Sequence, residues 1–82
     1  MSNLKTQSQT FNQKLGEHLK AIRTEQRYTM RALAEKLNTP HSFIGKTEQI
    51  NRRLDVGEFV HYCQALDADP VKVIKDLVKE VS

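Results

Sequence analysis

At 82 residues the chain has room for one domain around one modest core. Apolar residues make up 38 % and mean hydropathy is -0.61, and no apolar run approaches the roughly 20 residues of a bilayer crossing, which excludes a helical membrane protein. The formal charge of +3 is unevenly spread: residues 1–54 hold ten Lys/Arg against four Asp/Glu, residues 55–82 three against six, a pattern suited to a polyanionic partner on one side only.

Residues 1–10, MSNLKTQSQT, are polar and aperiodic and read as a flexible N-terminal arm without a secretory h-region, leaving 11–82 as the folded domain. Cys63 is the only cysteine, so no internal disulfide forms, and the cytoplasm is the expected compartment. From Phe11, the apolar positions Phe11, Leu15, Leu19 and Ile22 recur at helical spacing and predict a first helix ending near Glu25. Thr29 offers an N-cap to a second helix with the stripe Met30, Leu33, Ala34 and Leu37, closed by Asn38, which tolerates the left-handed conformation of helix ends. Thr39 as cap and Pro40 as first residue predict a third helix almost at once, and so tight a connection makes two short helices cross rather than run antiparallel. Its inner positions are Ile44 and Thr47; His41, Ser42, Gly45, Lys46 and Gln49 face out. Asn51, Arg52 and Arg53 form a basic loop, and Asp55 caps a fourth helix with the inner stripe Val56, Phe59, Val60, Cys63 and Leu66. Asp69-Pro70 opens a fifth helix running to about Val81.

The stretches LGEHLKAIRTEQRYTMRALAEKLNTPHSFIGKTEQ and DVGEFVHYCQALDADPVKVI resemble the Xre/Cro-type, phage repressor-like helix-turn-helix regulators, over about Leu15 to Leu77. The resemblance implies an all-α, five-helix lambda repressor-like DNA-binding domain, its helix-turn-helix formed by the second and third helices. In that pattern Ala34 is the small residue where the motif helices touch, Asn38 stands at a turn position usually held by glycine, and Ile44 is the buried residue of the third helix. Arg23 and Glu48 match a pair that bridges the first helix and the end of the third, a structural role. Two positions depart from the phage pattern: Met30 stands where a glutamine often clamps phosphate, and His41 where a glutamine often reads a base.

A major groove about 12 Å wide accepts one helix whose first turns present polar side chains to base edges. His41, Ser42, Gly45, Lys46 and Gln49 are the expected base-reading set: Lys46 can donate to guanine, His41 can donate or accept, and Gly45 lets the helix approach closely. Thr29, Arg31, Asn51, Arg52 and Arg53 are the expected phosphate contacts; the alternative for the arginines is solubility alone. Phe43 either packs under the second or fourth helix or reaches a thymine methyl. Val73, Ile74, Leu77, Val78 and Val81 give the fifth helix a wide apolar face, which marks a homodimer interface unless the monomer core absorbs it. A dimer would set two reading helices about 34 Å apart on an inverted repeat.

His61 and Cys63 lie on different helix faces without a second ligand pair, and no Ser-His-Asp or paired-carboxylate pattern occurs, so neither metal, cofactor nor enzymatic activity is expected. His18 reads as a boundary residue, Tyr28 and Tyr62 as packing residues at helix edges. The expected partner is double-stranded DNA, read by a dimeric transcriptional repressor. The alternative is an antitoxin, or an interaction module that sequesters a partner regulator.

Overall fold

The computed structural model describes residues 4–49 and 53–81. They form α1 (Leu4–Glu25), α2 (Met30–Leu37), α3 (His41–Glu48), α4 (Val56–Ala65) and α5 (Pro70–Val81), with no strand among them. The long α1 lies against both α3 and α5, while α4 closes the bundle against α2 and α5. No helix among the described residues is long and apolar enough to cross a membrane.

Helix α1 starts at Leu4 rather than Phe11, so residues 4–10, expected as an arm, are helical. Periodicity reports burial, not helicity: once the Phe11–Ile22 turns exist, each added residue gains a backbone hydrogen bond with no new nucleus to form. At its other end Arg27 takes a left-handed φ of 64°, and the Tyr28 amide donates back to the Arg23 carbonyl at 3.0 Å. Thr29 caps α2, its hydroxyl oxygen accepting from the Ala32 amide at 3.0 Å. Asn38, with φ 55°, ends α2 in the left-handed conformation anticipated for it, and the Thr39 amide donates to the Ala34 carbonyl at 3.0 Å.

The two proline signals resolve differently. At Asp69-Pro70 the carboxylate accepts from the Val71 amide at 2.9 Å and proline is the first helical residue. At Thr39-Pro40 the helix begins one residue later: Pro40 holds the cap position with ψ 150°, and no side chain caps α3. Thr39, expected as the cap, is drawn into closing α2, and its hydroxyl oxygen is buried without a partner among the described residues. Asp55 and Glu58 form a reciprocal capping box on α4, at 2.7 and 2.9 Å.

The core comprises Leu19, Leu33, Ala34, Ile44, Phe59, Tyr62, Cys63, Ala65, Leu66, Val73 and Leu77. Tyr62 is no edge residue; it is fully buried, and burial first, then the charge of Glu48, pushes its phenol pKa well up. Val56, expected in the inner stripe of α4, is 80 % exposed, because the helix starts one turn before the stripe Phe59, Tyr62, Cys63 and Leu66 meets the core. The apolar face of α5 is split. Val73 and Leu77, expected in a dimer interface, are buried in this chain's own core, since residues four apart share the one face turned inward. Ile74 (44 %) and Val78 (49 %) remain exposed, with Val71 beside them and Val81 half-buried. His18 fastens the last turn of α5, its Nε2 2.6 Å from Glu80 Oε2, while Lys14 Nζ approaches the other carboxylate oxygen, Oε1, at 3.6 Å. That carboxyl is held below its usual range, chiefly by the His18 hydrogen bond.

Candidate nucleic-acid interface

Helix α3 is only eight residues long, too short to hold its shape in water alone, so its neighbours determine where it points. Ile44, Thr47 and Glu48 are buried, and the Thr47 hydroxyl donates to the Phe43 carbonyl at 2.8 Å. Phe43 is half-buried, its ring 6.4 Å from that of Tyr62 at an interplanar angle of 43°. The aromatic thus packs on α4, not outward.

Arg23 ties three segments together. Its Nε donates to Glu48 Oε2 at 2.5 Å, one terminal nitrogen to Glu48 Oε1 at 3.2 Å, and the other to the Tyr28 carbonyl at 2.8 Å. The pair is well shielded, with side chains 12 % and 2 % exposed. The Glu48 hydrogen bond raises the guanidinium pKa against the opposing effect of burial. A forked, part-buried pair of this kind fixes geometry as well as charge.

The other side of α3 is open. His41, Ser42, Lys46 and Gln49 are exposed, and a Cβ built on Gly45 would meet nothing within 4 Å. Thr29, Arg31 and Arg53 are exposed as well, and among the described residues Arg31, Lys46 and Arg53 have no carboxylate partner. Thr29 spends its oxygen on the Ala32 amide but keeps its hydroxyl hydrogen to donate. Asn51 and Arg52, the remaining expected phosphate contacts, lie outside the described residues. No group of three or more His, Cys, Asp or Glu side chains that could hold a metal occurs among the described residues. His61 is exposed while Cys63 is buried, the thiol pushed up to about 11 by burial.

Two contacts were not foreseen. Gly16 brings the α1 backbone against the Thr47 and Glu48 carbonyls; an isolated glycine inside a helical stripe was the available signal. Tyr28 donates to Asp67 at 2.9 Å and accepts from Lys36 at 2.8 Å, joining the α1–α2 and α4–α5 turns to α2. Nothing in local periodicity reports a contact between residues this far apart.

No family model matches the chain, and no curated protein does. Solved structures do. The XRE-family like protein from Pseudomonas syringae pv. tomato str. DC3000 is 35 % identical over 95 % of both chains, with a TM-score of 0.87. The restriction-modification controller protein C.Esp1396I, solved as a tetramer in complex with its natural 35 base-pair operator, is 27 % identical over 87 % of this chain and 93 % of that one, with a TM-score of 0.78. The clp gene regulator ClgR from C. glutamicum, at 21 % identity over 88 % of this chain and 94 % of that one and a TM-score of 0.80, shares the fold. With α2 and α3 as its helix-turn-helix, the chain belongs to the XRE family.

Proposed function

We propose that this protein is a sequence-specific transcriptional regulator that lays α3 in the major groove of double-stranded DNA, acting as a dimeric repressor on an inverted repeat. The observation that carries the reading is the two-sidedness of α3: Ile44, Thr47 and Glu48 anchor it, while His41, Ser42, Gly45, Lys46 and Gln49 face outward. In this reading Lys46 and His41 contact base edges, and Thr29, Arg31 and Arg53, with Asn51 and Arg52, hold phosphates. The operator complex of C.Esp1396I supports it by analogy. The dimer forms through the face where Ile74 and Val78 adjoin an apolar groove of about 470 Å³ lined by Val56, Phe59, Val60, Pro70 and Val71. The same face would serve a protein partner if the chain instead sequesters another regulator.

The test is a gel shift on duplexes selected from a random pool, with a salt titration. Affinity should fall steeply with salt, the selected sequence should be an inverted repeat, and Lys46→Ala should relax base choice where Arg53→Ala weakens binding to all duplexes alike. Ile74→Asp should leave a folded monomer by sedimentation. Flat salt dependence with no selected sequence would defeat the reading.

A further inference from the structure

We propose that Gly16 is the positioning residue that sets the pose of α3 against DNA. This rests on the DNA-reading function above. Helix α1 meets the last turn of α3 at two places on one face, since Gly16 and Arg23 are two helical turns apart. At Arg23 the contact is a tether, a forked ion pair drawing Glu48 toward α1. At Gly16 it is a stop. A Cβ there would lie 2.9 Å from the Thr47 carbonyl oxygen, 3.1 Å from that of Glu48 and 3.4 Å from the Glu48 carbonyl carbon.

All three are backbone atoms, so no side-chain rotation makes room and the whole turn must move. The backbone at Gly16 has no positive φ, so the conformation itself does not call for glycine. Only the closeness of approach does, and glycine in a helix interior is otherwise inferior to alanine. The tether pulls and the bare backbone limits, and together they fix how far the end of α3 stands from α1. With no side-chain cap at its start, α3 depends on this seat for its tilt. Lys46 and Gln49 sit on the seated end, and a shift of tenths of an ångström there misaligns hydrogen bonds to base edges. Non-specific phosphate attraction tolerates the same shift, because it depends weakly on angle.

The experiment compares Gly16→Ala with Val73→Ala, a core truncation in α5 that also lowers the melting temperature. Both are measured, well below their transitions, on a duplex that the wild type selects from a random pool and on the same duplex with its bases shuffled. Gly16→Ala should lose roughly ten-fold or more in the ratio of the two affinities, the equivalent of one base contact, with shuffled-duplex affinity little changed. Val73→Ala should keep the ratio. If Gly16→Ala does not fold, it is placed in a Gly57→Ala background, where the added Cβ makes only ordinary contact at 3.6 Å and helix propensity improves. A ratio within two-fold of the wild type, at any loss of melting temperature, overturns the positioning role, as does failure to fold in that background. A wild type that selects no duplex refutes the function reading itself, and the inference falls with it.

Discussion

Gly45→Ala separates stability from recognition at a single methyl group. The position is the fifth of eight in α3, and a Cβ there meets nothing within 4 Å, so the substitution creates no clash. Alanine is favoured over glycine in a helix by about 1 kcal/mol, which in a domain of this size raises the melting temperature by about 4–8 °C. DNA binding should move the other way. A helix with its side chains is about 10–12 Å across in a groove about 12 Å wide, so a methyl reaching roughly 1.5 Å beyond Cα must push the helix outward. Displacing Ser42, Lys46 and Gln49 together forfeits at least the equivalent of one base contact, roughly ten-fold in affinity for the duplex the wild type selects. Thermal unfolding by circular dichroism and fluorescence anisotropy on that duplex measure the two quantities on the same sample. A stabilised Gly45→Ala protein with undiminished affinity would show that this face does not lie against bases. A destabilised one would refute the open space above Gly45.

Glu48→Ala should abolish DNA binding through the fold. Stranding a buried partner costs about 3–5 kcal/mol, nearer the lower figure here because Arg23 keeps some access to water, and an unchanged melting temperature would refute it. Tyr62→Phe removes a buried hydroxyl that has no partner among the described residues and should stabilise the domain by about 1 kcal/mol in urea unfolding; a loss of that size would mean the hydroxyl is bonded after all. Cys63 should resist iodoacetamide at pH 8 except through unfolding, its thiol being buried and pushed up to about 11. Because its folded pKa lies above the ordinary 9.0, its contribution to stability is complete below pH 9.0 and is lost as pH rises through about 11. The Tyr62 phenol, raised in the same direction, adds to that loss, so a urea midpoint that stays level from pH 8 to pH 11 would contradict both burials.

Where the sequence was legible, one side chain carried the local outcome. Thr29, Asn38 and Asp55 cap or end their helices through their own atoms or their own φ, so residue type and position suffice. It was illegible where two elements compete for one residue. Thr39-Pro40 and Asp69-Pro70 present the same signal, yet closure of α2 claims Thr39 and leaves α3 uncapped. The apolar face of α5 poses the same problem on a larger scale. A helical wheel shows that Val73, Ile74, Leu77 and Val78 share a broad stripe, but only the position of the neighbouring helices decides that Val73 and Leu77 point in and the other two out.

The candidate site divides along the same line. Its outward residues could be named from the sequence because the inner positions Ile44 and Thr47 set the phase of the helix, and His41, Ser42, Lys46 and Gln49 lie off that inner face even though α3 begins one residue later than expected. What orients that face could not, because it depends on Gly16, whose role is an absence of atoms opposite a backbone carbonyl some thirty residues away. Arg23 and Glu48 were visible because charges pair by type, whereas a close approach leaves no chemical mark beyond one glycine in a helix. In the proposed reading, outer residues of α3 can therefore change without disturbing the fold, and each change would alter which bases are met. A change at Gly16, Arg23 or Glu48 would alter the angle at which every base is met. Substitutions that retarget such a protein should accordingly be sought among His41, Ser42, Lys46 and Gln49, with the α1–α3 seat left untouched.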